Sequence, residues 1–410
     1  MAVLKNALLM TLLTLTLAGC STSVTTFYYR MAAPPEGEGG NSFYRAPAAD
    51  AEAAATASDA EVRNVIYLIG DGMGFNQVEL ARRYAAPTQR LWMDLLPVRG
   101  ELRTRSANND VTDSAAAGTA MACGIKTHNG MIGMNPDKVP YSSILELLDQ
   151  KGWRTGLAAT STISHATPAA FSSHVDSRGK EREIALQQAG GGVDVMLAGG
   201  TKFWNHETYA LAEKTGYTVV DSREDMLSHK SGAVIGLFAE DGLTTYDPEP
   251  MLSEMTATAI QLLSAKGSDW FAPEPKFFLM VEGSQIDWAG HANDTDRTVR
   301  QTLLFDMAVR EALEFARRDG HTLVIVTADH ETGGLKLEDD DKSPVGVKAK
   351  WTTGGHTGVN VPIYAFGPGA EKFAGTLDNT DIPKRIAELT GVGTFPVKKT
   401  AALQTAAANE

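Results

Sequence analysis

The sequence predicts an α/β fold: a mostly parallel central β-sheet with helices on both faces and short insertions at the rim. Three observations carry that reading. Short, wholly apolar runs recur, as strands buried on both faces require. Segments of helical periodicity alternate with them, the pattern of a sheet covered on both sides. Several of the apolar runs also end in a carboxylate, at the edge where open α/β sheets place their ligands. With 410 residues, 43% of them hydrophobic, the chain can bury one large core or two smaller ones.

Residues 1–20 read as an export signal, with Lys5 as a short positive region and an apolar stretch from Ala7 to Leu17. The stretch is too short to span a membrane comfortably. It ends Leu17-Ala18-Gly19-Cys20, which resembles a bacterial lipobox; cleavage before Cys20 would leave a lipid-modified cysteine as a membrane anchor. The alternative is an ordinary cleaved signal peptide with an incidental cysteine. Residues 21–60 are rich first in Ser and Thr, then in Pro, Glu and Gly, then in Ala, and read as a flexible tether. The expected catalytic domain is 61–398, followed by a tail at 399–410.

The fold begins at Val65-Ile66-Tyr67-Leu68-Ile69, five apolar residues before Gly70-Asp71-Gly72-Met73-Gly74. The glycines do not make a dinucleotide fingerprint, because its third glycine falls on Phe75. Ser143-Ile144-Leu145-Glu146 resembles a capping box, opening a helix that stops at Gly152. Strands are expected at Arg154–Thr160, Val193–Ala198, Phe277–Val281, Leu323–Val326 and Val361–Phe366. Residues 251–266 and 294–319 have helical periodicity. Residues 201–250 and 336–355 lack a clear period and read as rim insertions, the Asp339–Asp341 run being a solvated loop.

A net charge of −13 argues against nucleic acid as a partner, and an anionic substrate would need local positive charge. Two cysteines, Cys20 and Cys123, exclude a disulfide framework, and Cys123 reads as a buried small hydrophobe. Asp71, Glu282 and Asp329 each close an expected strand, so they converge at one edge of a parallel sheet. Alone they would repel one another; a bound cation removes the penalty. Asp287 and His291 are four apart and share a face if helical, His330 follows Asp329, and His356 lies in a glycine-flanked loop. Mixed Asp/His ligation without thiolate is the donor set of catalytic zinc, in numbers sufficient for two metals or three. Asp113-Ser114 precedes an alanine-rich segment that should be helical. Locally, the pair reads either as a helix cap or as a nucleophile at a helix N-terminus, where an anion is favoured. His128, His174, His206, His229 and His321 read as structural or surface residues.

The motifs Gly70–Gly74, Thr112–Ala116, Ala166–Ala169, Ser177-Arg178, Val281–Asp287, His291-Ala292, Thr327–Glu331 and Gly355–Gly358, in this order, resemble the alkaline phosphatases over residues 62–395. The resemblance implies hydrolysis of phosphate monoesters through a phosphoserine on Ser114. It implies one zinc on Asp287, His291 and His356, and a second on Asp71, Asp329 and His330 that also meets Ser114. Asp71 would bridge to a third site with Thr167 and Glu282, usually magnesium. Arg178 would clamp the phosphate; the residues alone do not favour it over Arg182. Family members are often homodimers, though the sequence carries no interface signal.

Two positions depart from the enteric members: His165 where they have Asp, and Trp288 where they have Lys. Vertebrate members have His at the first, and some marine and cold-adapted members Trp at the second. The resemblance puts both positions, and Asp113, in the surroundings of the metals and phosphate; the alternative for His165 is a spectator imidazole near the site. The departures lead us to expect a third site less selective for magnesium, since imidazole suits zinc better, and weaker retention of phosphate. Two other readings stand beside this one. A diesterase or sulfatase of the same superfamily is one, although Ser114-Ala115-Ala116-Ala117 lacks the sulfatase Cys/Ser-x-Pro-x-Arg context. A surface lipoprotein that captures phosphate or zinc without turnover is the other.

Overall fold

The structure, a computed structural model, describes residues 41–51, 60–266 and 274–399. The expected signal with Cys20, and the tail beyond Lys399, lie outside these residues.

Ten strands form the central sheet. In chain order they are β1 (Asn64–Gly70), β2 (Val98–Arg103), β3 (Arg154–Thr162), β4 (Val195–Gly199), β5 (Thr218–Val220), β6 (Val234–Leu237), β7 (Phe277–Gly283), β8 (Thr322–Thr327), β9 (Val361–Phe366) and β10 (Gly375–Asp378). Their order across the sheet is β10-β2-β9-β8-β1-β7-β3-β4-β6-β5. β9 is antiparallel to both its neighbours and all other pairs are parallel. β1, β7, β8 and β9 are buried along their whole length, so both faces of the sheet are covered. Apolar runs without alternation are what that double burial selects.

Five helices matter for the site: α1 (Phe75–Tyr84), α2 (Ser114–Cys123), α3 (Ala166–Ser172), α4 (Gln285–His291) and α5 (Thr295–Asp319). α2 and α3 pack on each other, while α5 packs on the helix Leu252–Ser264 and on β8, β7 and β1. α2 is buried at every position, which its run of small side chains permits, and it stops at Gly124 in the left-handed region (φ 68°). α5 starts at Asp294, whose side chain accepts from the Arg297 N–H at 3.0 Å, and stops at left-handed Gly320.

Several expectations need correction. Residues 201–250 are not only a rim insertion: they supply β5 and β6, which extend the main sheet at one edge. At three and four residues these strands are too short to show a period. β2 and β10 were not expected either; in β2 charged residues punctuate a half-exposed strand. Residues 336–355 do project as a separate two-stranded hairpin, Lys336–Asp339 with Val347–Lys350. The capping-box helix ends at Asp149, one turn before Gly152.

The segment 41–51, expected to be tether, lies against the core. Tyr44 is buried and its hydroxyl donates to Oδ2 of Asp306 on α5 at 2.6 Å. Asp306 also accepts the backbone N–H of Trp92 and Met93, at 2.7 and 2.9 Å, and the Trp92 indole donates to the Arg45 carbonyl at 2.7 Å. Two adjacent aromatics, Phe43 and Tyr44, gave no periodic signal, yet both pack on the core and Tyr44 finds a buried acceptor.

Candidate active site

Register brings the acidic strand ends together. Ile69 of β1 pairs with Glu282 of β7 and with Thr327 of β8. Asp71 and Asp329, each two residues further on, therefore emerge level with each other on either side of one strand boundary. Asp71, Glu282 and Asp329 are all fully buried. α4 then carries Asp287 and His291 one turn apart, and a two-residue ribbon, Glu331–Thr332 against His356–Thr357, returns His356 to His330.

Two triads result. Nε2 of His291 lies 3.4 Å from Oδ2 of Asp287, and Nε2 of His356 lies 3.4 Å from Oδ1 of Asp287 and 3.1 Å from Nε2 of His291. In the second, Nε2 of His330 is 3.1 Å from Oδ2 of Asp329 and 3.4 Å from Oδ1 of Asp71. The rings of His330 and His356 stack at 3.6 Å between centroids, so the triads adjoin. A third group, with donor atoms within 4.8 Å of one another, joins Asp71, Glu282 and His165. Thr167, fully buried on α3, supplies a hydroxyl beside Glu282.

Ser114 is the first residue of α2, and its Oγ stands 3.3 Å from Nε2 of His330. The cap is Asp113, whose Oδ1 accepts from the Ala116 N–H at 3.0 Å. Capping by Asp113 therefore leaves the Ser114 hydroxyl facing His330. Oδ2 of Asp113 accepts from Gly130 N–H at 3.0 Å and from Nη1 of Arg178 at 3.2 Å. Nη2 of Arg178 lies 3.1 Å from Nε2 of His165. The guanidinium is thus held beside the helix N-terminus, whereas Arg182 is exposed. Trp288 meets the His165 ring edge-on at 6.2 Å. Its indole is also seated over Gly242, where a Cβ would come within 2.4 Å of it.

The electrostatics follow from crowding charge in a buried place. Burial, then repulsion from Asp329, pushes Asp71 well above the usual carboxylate range. Burial raises Glu282 to about 7, against the lowering effect of the Ser284 and Thr167 hydroxyls. Burial opposes charge on Asp287 too, but its two histidines hold it well below the ordinary value. In return, against burial, Asp287 lifts His291 to about 9. Burial and the neighbouring Arg178 press His165 down to about 3, so it is a neutral ring.

Several groups at the site had no sequence signal. The Thr332 hydroxyl donates to Oδ1 of Asp287 and lies 3.3 Å from Nδ1 of His330, touching both triads. Backbone carbonyls of Thr112 and Gly354 meet Nδ1 of His356 and His291 at 2.9 and 2.7 Å, which turns each Nε2 inward. Ser161 donates to Oε2 of Glu282 at 3.3 Å. Single hydroxyls and carbonyls carry no pattern a sequence can show.

Cations fit this cluster. Neither oxygen of Asp71 receives a hydrogen bond, nor does Oε1 of Glu282, although all three are buried. Buried acceptors are almost always satisfied, so these are positioned for something other than a protein donor. Two inward Nε2 atoms 3.1 Å apart beside one carboxylate likewise match a shared cation better than a hydrogen bond.

Fold and site together define a metal-dependent hydrolase built on a doubly covered α/β sheet. Comparison with known proteins gives the family: the alkaline phosphatase family model matches residues 62–349 and 338–392, and the chain belongs to that family. It is 36% identical over 427 residues to alkaline phosphatase 3 of Bacillus subtilis, covering 83% of this chain and 91% of that one. Against the Escherichia coli alkaline phosphatase it is 32% identical over 401 residues, covering 79% and 85%. Among solved structures, the alkaline phosphatase of the Antarctic bacterium TAB5 superposes with a TM-score of 0.74 at 35% identity, covering 81% of this chain and 98% of that one. Variants of that enzyme with one histidine changed to Glu or Asp have magnesium bound in their M3 site. The chain is accordingly a phosphatase that hydrolyses phosphate monoesters.

Proposed function

We propose that Ser114 is the nucleophile of this phosphatase and passes through a phosphoserine. Asp287, His291 and His356 hold one zinc ion in this reading; Asp71, Asp329 and His330 hold the second; Asp71, Thr167 and Glu282 hold a third cation, magnesium or a replacement. Cations bound there would lower the pKa of the serine hydroxyl and supply positive charge to the leaving oxygen and to water. The chain's own residues do the rest. Arg178 grips two oxygens of the phosphate through its planar fork. The unpaired N–H groups opening α2 receive another oxygen. Ser114 gives its hydroxyl proton to solvent as Oγ attacks phosphorus in line; the ester P–O bond breaks and the departing oxygen takes a proton from water. A second water then breaks the phosphoserine P–O bond, releasing phosphate and restoring the hydroxyl. The fork and the three-site donor set favour a fully charged monoester over a diester.

The observation that carries this reading is Ser114 Oγ at 3.3 Å from Nε2 of His330, on the first residue of a helix capped by Asp113. The test is p-nitrophenyl phosphate hydrolysis with and without a chelator, on wild type and Ser114→Ala. We expect chelator-sensitive release in the wild type and a loss of at least ~10³-fold in the variant. Activity that survives Ser114→Ala removes the nucleophile; binding of phosphate without turnover restores the capture reading.

His165 stands, in this reading, for the histidine whose replacement accompanies magnesium in the TAB5 enzyme. The same proposal includes lipidation at Cys20, with the catalytic domain in the periplasm or at the cell surface. Mass spectrometry of the N-terminal peptide tests the lipid. Assembly as a homodimer belongs to it too, and analytical ultracentrifugation decides it.

A further inference from the structure

Glu331 follows His330 directly and is 4% exposed. Its carboxylate accepts four hydrogen bonds, all from neutral donors. Oε1 takes the Gln77 side-chain amide at 2.7 Å and the Leu335 N–H at 3.1 Å. Oε2 takes the Gly334 N–H at 3.2 Å and the Thr357 hydroxyl. Gln77, itself fully buried, also donates to the Thr332 carbonyl at 2.8 Å.

These donors come from different parts of the chain. Gln77 lies on α1, which grows out of the Asp71 loop. Gly334 and Leu335 follow the Asp329–His330 strand end. Thr357 adjoins His356 and pairs with Glu331 across the ribbon. One carboxylate thus joins three of the segments that carry the triads. Room for it is provided by Gly74, where a Cβ would come within 2.4 Å of the Glu331 Cγ. Gly74 has φ −76° and ψ 177°, a conformation open to any residue, so the need there is for space.

We propose that Glu331 is a positioning residue for the metal centre: its buried carboxylate brackets the segments bearing Asp71, His330 and His356, and so sets the affinity of both zinc sites together. The proposal rests on the ligand assignment made above. An amide cannot replace it. Gln at 331 keeps the shape but turns an amino group with two donors against existing donors, leaving buried N–H or O–H groups unpaired. Ligands held by outer partners typically lose 10–100-fold in metal affinity when those partners go.

The experiment uses the full-length protein, stripped of metal and titrated with zinc against a chromophoric chelator. Wild type is compared with Glu331→Gln, Gly74→Ala, Thr357→Val and, as an exposed control, Glu338→Gln. Glu331→Gln and Gly74→Ala should weaken both zinc sites by ~10–100-fold. Thr357→Val, lacking one donor, should lose less, and on the His356 side. At saturating zinc, kcat should return towards wild type with KM unmoved, which a merely unstable fold would not give. Zinc affinity of Glu331→Gln within about threefold of wild type overturns the proposal. If that variant does not fold, wild-type affinity in both Gly74→Ala and Thr357→Val overturns it instead. His356→Ala serves as the arm that separates the two readings: if it keeps wild-type zinc affinity, the ligand assignment has failed and the bracket with it; if it loses zinc while Glu331→Gln does not, the bracket alone has failed.

Discussion

At the scale of the residue, His165 and Trp288 stand edge-on to each other beside the third donor group. A neutral ring at 165 accepts from Arg178 and adjoins Asp71 and Glu282, so the third donor group has an imidazole beside its two carboxylates where a hard cation would prefer a third oxygen donor. We expect His165→Asp with Trp288→Lys to retain magnesium through dialysis and to bind inorganic phosphate about tenfold more tightly, as a charge-assisted hydrogen bond would give. Elemental analysis and the inhibition constant for phosphate check this; no change in either removes the role given to the pair. The residues legible in sequence were those with an address: Asp71, Glu282 and Asp329 at strand ends, Asp287 and His291 one helical turn apart. Arg178 had no such address until Asp113 and His165 were seen to hold it. Thr332 and Glu331 were illegible for another reason, because their partners arrive from the far ends of loops.

At the scale of the element, the capping box at Ser143 does more than open a helix. Glu146 donates nothing; it accepts from the Ser143 N–H at 2.8 Å, from Lys399 at 2.7 Å, and meets Nε2 of His174 at 3.0 Å. Burial opposes its charge, but His174 and Lys399 bring it down to about 2. A carboxyl depressed in the folded state binds fewer protons there than when unfolded, so it stabilises above its unfolded pKa of about 4.3 and loses that contribution as pH falls to about 2. The contribution is about 3 kcal/mol at most. Urea midpoints of wild type and Glu146→Gln should therefore differ at pH ~6 and converge towards pH ~2; parallel curves would show that the clasp is silent. Elements such as this helix, long or clearly capped, were readable in advance. β5, β6 and β10 were not, since strands of three or four residues at or next to a sheet edge owe their existence to a neighbour's unpaired backbone rather than to their own pattern.

At the scale of the whole molecule, the site concentrates buried carboxylates that repel one another, and cations hold them. Ligand binding stabilises the native state by mass action, about 4 kcal/mol at a thousandfold excess over Kd. Treatment with a chelator should lower Tm by on the order of 10 °C, and zinc should restore it; a melting temperature indifferent to chelator would mean that the cluster stores no such strain. The class of fold was legible because alternating apolar runs and helices leave few alternatives. Its N-terminal border was not. Tyr44, some twenty residues before β1, seats its hydroxyl on Asp306 in the middle of α5, so residues assigned to the tether are packed on the core. Considered mechanically, that contact decides where a load enters. Tension applied ahead of Tyr44 would load its hydrogen bond to Asp306 on α5 before the chain that leads to β1 and Asp71.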